Sequence, residues 1–509
     1  MAQASHRARL AGLAAALAIS SGAAAQVLDP IELNGLVIGL GLEAGIAYLH
    51  TENTNFGLGR IDERTGRNTG EARWGEGYLH PRLDLSYATE TAGELYGAAS
   101  MVATITRGGG DAGGFTANDD DVGLAQLHAG WRSGPVLADL LGEDALDLSV
   151  GRQDFQIGDG FLVWDGNEDT GGDAAYWLAP RTAFELSAIA RLNTEPLGGQ
   201  VFWLRGDDDH GNAELVGLNL DHDTGLGLLG ATYFRIVDAA SAFDAEVPRE
   251  GMDVVSVRVA DLHLPGMEDA TLHAEYVRQF GSGPNGDFRA QAFYIEPAYT
   301  FSEVPWTPRL AYRFAYFSGD SDPDDARRRD FDPLFYGASR GWGTWFQGEI
   351  MGEYLLFNSN QINHMAHLSA WPVDEVEVGA IYFHFDLAER NYFGEPVTSR
   401  RFADELNLYA DWEVSENLFV GALYGAAFPA QAARELFGNQ VFHLLAVYAI
   451  VSFLSGSRTV ALAIQRAMKD AAARRADGRR MKGGVHPKAP TIAPQTPAEP
   501  RARRRNPSR

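Results

Sequence analysis

From Gln26 to Phe453 the chain alternates apolar and polar residues, the signature of β-strands whose two faces meet different surroundings. Across Arg309–Phe317, Leu310, Tyr312, Phe314 and Tyr316 share one face and Arg309 and Arg313 the other. Across Glu405–Glu413, Leu406, Leu408, Ala410 and Trp412 alternate with Glu405, Asn407, Tyr409 and Asp411. Leu79, Leu83, Leu85 and Tyr87 likewise alternate with His80, Arg82, Asp84 and Ser86. Val255, Val257 and Val259 alternate with Ser256, Arg258 and Ala260.

A soluble sandwich would also alternate, with its charged face in water. Two features favour a membrane barrel with a wet lumen: charged faces recur strand after strand, and the connections alternate between short and long. Thr89–Gly93, Trp371–Glu375 and Ser415–Asn417 are predicted periplasmic turns; Thr51–Gly75, Asp154–Arg181 and Gly319–Asn360 are predicted outer loops. The strands are placed at 36–49, 76–88, 94–106, 123–132, 144–153, 182–193, 197–206, 213–222, 226–236, 251–261, 270–280, 289–301, 308–318, 361–371, 376–387, 404–413, 418–428 and 441–453. Trp345–Phe357 is a further candidate, but a strand there would break the up-and-down parity, so it is assigned to one long outer loop. The expected fold is therefore all-β: a transmembrane antiparallel barrel of about 18 strands with long outer loops. Such a barrel is too wide for its wall side chains to fill, and the aromatic, glycine-rich stretch Gly341, Trp342, Gly343, Trp345, Phe346 makes loop 319–360 the candidate constriction.

The two ends read differently. Residues 1–25 have the form of a secretory signal: Arg7 and Arg9, an apolar stretch Leu10–Ile19, and Ala23–Ala25 as the small-residue cleavage site. That apolar run is too short to span a bilayer as a helix. Residues 26–456 form the predicted barrel, and 457–509 a basic, Pro- and Arg-rich tail that reads as disorder after a short basic helix at Ser457–Ala476. The tail is either simply solvated or a periplasmic contact for anionic polymers. From Ser457 onward 14 Lys and Arg face 3 Asp and Glu, a net +11, so the chain to Gly456 carries −37 of the total −26. Cysteine is absent, and 57 glycines and 55 aromatics fit turns and interfacial girdles. Phe453 ends the last predicted strand with an aromatic, as an outer-membrane assembly signal would, although 56 residues follow it.

Two stretches are more specific. LSVGRQDFQIGDGFLVWDG (Leu148–Gly166) and FDPLFYGASRGWGTWFQGEIMGEYLLFNSN (Phe331–Asn360) resemble motifs of the alginate-export family of bacterial outer-membrane barrels. The resemblance implies an 18-stranded barrel in the cell outer membrane. It also implies a lumen whose arginines and few acids pass an anionic polysaccharide outward. The matching positions are Arg152 and Arg340, with Glu349 and Glu353 following in the second motif. Periodicity alone points Arg82, Arg258, Arg309 and Arg313 into the lumen, where guanidinium groups would bind carboxylates bidentately or pair with a neighbouring acid such as Asp84. Arg152 counts on the same face as Leu146, Leu148 and Val150 unless a bulge at Gly151 turns it inward.

The expected partners are an anionic or neutral polysaccharide, outer-membrane lipid and lipopolysaccharide, and periplasmic export partners. The −37 balance is awkward for a polyanion and keeps two alternatives open: a general or cation-preferring porin, and a surface-exposed structural or adhesive barrel. Much of that charge is assigned to outer loops, in the runs Asp119–Asp121 and Asp320–Asp325 and the turn Asp207–Asp209. No enzyme is expected. His364 and His367 are three apart in a predicted strand and so face opposite ways, and HExxH, P-loop and GxSxG patterns are missing. Neither a cofactor, a metal nor nucleic acid is expected.

Overall fold

The computed structural model describes residues 30–454 except 63–66, 90, 115–117, 165–173, 179, 181–183, 207–211, 240–248, 285 and 338–346. The expected signal segment, the basic tail, the Asp207–Asp209 turn and Arg340 with its neighbours 341–346 lie outside the described residues.

One sheet holds twenty strands; two of them, Ile31–Leu33 and Arg327–Arg328, are short riders, and the other eighteen form a closed antiparallel barrel. In chain order the first nine are β1 Leu36–Glu52, β2 Glu71–Thr89, β3 Gly93–Gly108, β4 Asp120–Arg132, β5 Leu146–Arg152, β6 Phe184–Asn193, β7 Leu197–Gly206, β8 Glu214–Asp223 and β9 Leu228–Asp238. The second nine are β10 Met252–Leu264, β11 Met267–Gly283, β12 Gly286–Thr300, β13 Arg309–Phe317, β14 Gln361–Val373, β15 Val376–Leu387, β16 Arg401–Ser415, β17 Leu418–Pro429 and β18 Phe442–Leu454. Each pairs with its chain neighbour, and β18 closes on β1 over twelve residue pairs, from Gly41 opposite Leu454 to Glu52 opposite His443. All eighteen predicted strands are found. β1 and β2 extend further outward than their pattern suggested, and Asp120 and Asp121, expected in an outer loop, already belong to β4. Trp345–Phe357 is not a strand where it is described: Gly352–Leu356 form a single wide helical turn, stopped by Phe357 at a left-handed φ of 49°.

The alternation sorts as a membrane requires. Leu310 and Tyr312 on β13, Leu408 and Trp412 on β16, and Val255 and Val257 on β10 are exposed on the outer face. Arg313, Glu405, Asn407, Asp411, Ser256 and Arg258, at the intervening positions, are buried within. Large apolar groups exposed outward and charges enclosed inward are stable only if the exterior solvent is hydrocarbon.

Four inward tyrosines lock the wall. Tyr78, Tyr96, Tyr409 and Tyr448 each lie across a glycine of a neighbouring strand: Gly45, Gly130, Gly379 and Gly421. A Cβ at those glycines would stand 2.2–2.3 Å from the ring, so no other residue admits the close approach. Each hydroxyl then donates to a carboxylate: Tyr78 to Glu43 at 2.7 Å, Tyr96 to Asp147 at 2.5 Å, Tyr409 to Glu377 at 2.7 Å and Tyr448 to Asp411 at 3.1 Å. Gly421→Val should therefore push Tyr448 off the wall and cost about 1–3 kcal/mol. The check is the urea midpoint of the micelle-refolded barrel, with an unchanged midpoint counting against the ring-on-glycine contact.

Candidate functional site

Two outer connections do not stay outside. The β5–β6 and β13–β14 connections fold into the lumen, where their described parts pack on inward wall residues and on each other. Residues 157–164 and 331–337 form a small ribbon: Trp164 donates its amide to Phe335 O at 2.9 Å, Phe335 to Leu162 O at 3.0 Å, and Gly337 to Gly160 O at 3.0 Å. Phe155, Phe161, Phe331 and Phe335 carry this ribbon onto wall residues Phe184, Phe202 and Phe234, building an apolar core inside the barrel. The aromatic content that the sequence shows in both motifs is used here for packing.

The ribbon is pinned at Asp332. Its carboxylate takes a bidentate pair from Arg249, Nε to Oδ2 at 2.8 Å and Nη2 to Oδ1 at 3.0 Å, and the two side chains are buried together. Gln279 of β11 donates to Asp332 O at 2.6 Å and accepts from Asp332 N at 3.0 Å. The Arg249 guanidinium also sits 5.6 Å from the Phe335 ring centroid. Fixed charge is matched by fixed counter-charge at this point.

The other inward pieces are held by wall carboxylates acting as acceptors for backbone amides. Glu76 of β2 accepts from Trp177 N at 3.0 Å and Leu178 N at 2.9 Å, and Thr106 Oγ1 accepts from Ala175 N at 2.7 Å. Glu405 of β16 accepts from Ile350 N at 3.0 Å and Met351 N at 2.7 Å. Segments 174–178 and 347–358 touch each other where Trp177 Nε1 donates to Glu349 Oε2 at 3.4 Å. These groups satisfy amides that no strand partner reaches.

The residues expected to line the pathway divide into three kinds. Arg82 grips Asp84, Nε to both carboxylate oxygens at 2.9 Å and Nη2 to Oδ1 at 2.7 Å, and its side chain is 30% exposed to the lumen. Arg309 is 17% exposed and meets Glu296 at 3.9 Å, while Arg313 is buried with Nε 2.7 Å from the other Glu296 oxygen. Arg258 is buried against Asp221, Asn219 and Thr232, with Gly158 of the inward loop packed on its guanidinium.

Arg152 is half-buried. Neither ladder of β5 shifts register at Gly151, so the expected bulge does not form; instead Gly151 takes a φ of 126°, which reorients the strand end without inserting a residue. Glu349 and Glu353 are 2% and 0% exposed, sealed between their own segment and the wall and out of reach of lumen water.

Burial pushes the Glu349 carboxyl up to about 8, with Glu405 adding like charge, and pushes Glu353 well above the usual carboxylate range, with Glu349 adding like charge. Sequence reasoning did not single out Glu76, Glu296, Asp332, Gln279 or Arg249. Glu405 did fall on the predicted inward face, but nothing local shows which distant amides it accepts.

A closed eighteen-stranded barrel with a lipid-facing exterior, a charged lumen and inward-folded connections is an outer-membrane channel. Residues 116–393, more than half of the chain, match the family described as Alginate export, and the protein belongs to that family. Among solved structures it is similar to OccK8 (OprE) of Pseudomonas aeruginosa, at 10% identity and a TM-score of 0.53 over 82% of this chain and 98% of that one. It is also similar to Pseudomonas aeruginosa OccK5 (OpdH), at 10% identity and a TM-score of 0.51 with the same coverage. Acinetobacter baumannii OccAB4 follows at 10% identity and a TM-score of 0.50, again over 82% and 98%. At such identities the likeness shows the fold alone. No curated protein matches the chain.

Removing Arg249 would leave the Asp332 carboxylate buried without its bidentate partner, a change that costs about 3–5 kcal/mol for a buried pair. Arg249→Ala should therefore raise amide hydrogen exchange across 157–164 and 331–337 while strand amides remain protected. Equal protection in both proteins would remove Arg249 as the pin.

Proposed function

We propose that this channel passes a polysaccharide or its fragments, anionic or neutral, through the lumen without chemical change. The observation that carries the reading is the form of the wall charges. Arginines stand in pairs with carboxylates, and Arg82 and Arg309 keep access to lumen water within those pairs. A guanidinium already held by an acid gives its remaining donors to sugar hydroxyls or uronate carboxylates without trapping them, because the wall acid competes for the same donors. Transit needs binding firm enough for entry and weak enough for exit. Membership of the Alginate export family supports the same reading.

A second reading, a cation-preferring porin, is favoured by one specific observation. Glu43, Asp147, Glu377 and Asp411 carry the tyrosine-bonded carboxylates of the lumen wall, and the chain carries a net charge of −26. Rings of carboxylate raise the local concentration of cations.

Reversal potential in a salt gradient, followed by titration with alginate, separates the two. The polysaccharide reading expects block by alginate that weakens in Arg82→Ala plus Arg309→Ala, by about thirtyfold if each contact contributes on the order of 1 kcal/mol. Cation preference with no block by alginate, or by neutral oligosaccharides, would replace it with the porin reading.

A further inference from the structure

Segment 347–358 carries a contradiction that the pathway reading does not use. Its apolar residues Ile350, Met351, Leu355 and Leu356 are buried in the core that lines one side of the lumen. Glu349 and Glu353 are buried on the same segment. Among the described residues, the titratable groups facing them are acids and phenols. Glu349 meets Glu405 and Asp411 of β16, with Trp177 of the neighbouring inward segment and Tyr448 of β18 beside it. Glu353 meets Glu349, Tyr176, Tyr354, Asp111 and Glu76. The charged groups acting most strongly on either carboxyl are all negative. Both Glu353 oxygens are enclosed, and Gly348 lies on the Glu405 carboxylate, where a Cβ would stand 2.7 Å from Oε2.

We propose that segment 347–358 is a movable gate of the lumen, seated on Glu405 and released when negative charge builds on Glu349 and Glu353. Burial of its aliphatic side chains and the two hydrogen bonds that its amides donate to Glu405 favour the seated state. A charge on Glu349 or Glu353 opposes it, because an ionised carboxylate buried there loses its water and, among the described residues, meets mainly other acids. The sign follows from linkage. Both carboxyls are raised when seated, so the seated segment holds more protons than the released one. Seating is complete below the ordinary carboxylate range and is lost as pH rises through the seated value, about 8 for Glu349. The channel therefore opens on the alkaline side and closes in acid. Nothing here depends on which solute the channel carries.

The test uses the full barrel refolded into planar bilayers with only small ions as carriers, recorded from about pH 5 to about pH 9. Failure of the gate is thus separate from failure of the polysaccharide reading, which alginate block decides. Conductance of the unaltered protein is expected to step upward across that range. Glu349→Gln plus Glu353→Gln should lose the step and stay in the low-conductance state throughout. Glu405→Ala should conduct at the high level already at the acid end. Heat-modifiable gel migration reports barrel closure in each variant. Should the double variant fail to close, Glu353→Gln alone is expected to move the step to higher pH, and hydrogen exchange of 347–358 should rise with pH in the unaltered protein. A flat pH profile in the unaltered protein, or a step that survives unchanged in the glutamine variants, overturns the proposal.

Discussion

Everything in this molecule depends on the closure of β18 onto β1. A strand placed in hydrocarbon has no water to satisfy its amides and carbonyls, so an open edge is forbidden there and the sheet must return to its first strand. Twelve residue pairs between Gly41–Glu52 and His443–Leu454 supply that return. Once the cylinder is closed, the period-two pattern has only one consistent orientation. A register slip of one residue would turn Arg313 and Glu405 outward and Leu310 and Leu408 inward. Closure thus fixes which side chains can meet in the lumen before any of their own interactions are counted.

The lumen then poses the opposite problem. Eighteen strands enclose more space than wall side chains fill, and the protein fills part of it with its own loops. Inside, the usual rules of a soluble core apply again. Phenylalanines of the two connections pack on Phe184, Phe202 and Phe234, and loop amides are satisfied by Glu76 and Glu405. The lipid-facing shell and the inner core are separated by one layer of backbone. The wall residues at the seam do two jobs: they complete the sheet, and they present the acceptors that loops require.

This division explains what was legible in the sequence. Strand positions were readable because alternation is local: β13 and β16 declare their two faces within nine residues each. Parity was enough to reject a strand at Trp345–Phe357. The positions of lumen arginines were readable for the same reason, but their partners were less so. Asp84 was legible beside Arg82, two residues along one face, whereas Glu296 reaches Arg309 and Arg313 only across the β12–β13 ladder. Glu349 and Glu353 carried the motif but not its geometry, since only the seating of the segment shows them sealed from the lumen. Arg249 and Asp332 are 83 residues apart and lie in different loops, and no periodicity connects them.

The two ways of holding a loop have different consequences. At Asp332 the buried carboxylate is matched by a guanidinium, and the pair holds the ribbon 157–164 with 331–337 inside the lumen. At Glu405 a carboxylate accepts hydrogen bonds from backbone amides, and the segment it holds brings two more carboxyls into the same apolar pocket. Burial there favours the protonated form of both carboxyls. One motif, Phe331–Asn360, therefore contains a fixed half and a conditional half, joined in sequence but balanced by different electrostatics. In the proposed gate, the ribbon keeps its place while segment 347–358 moves.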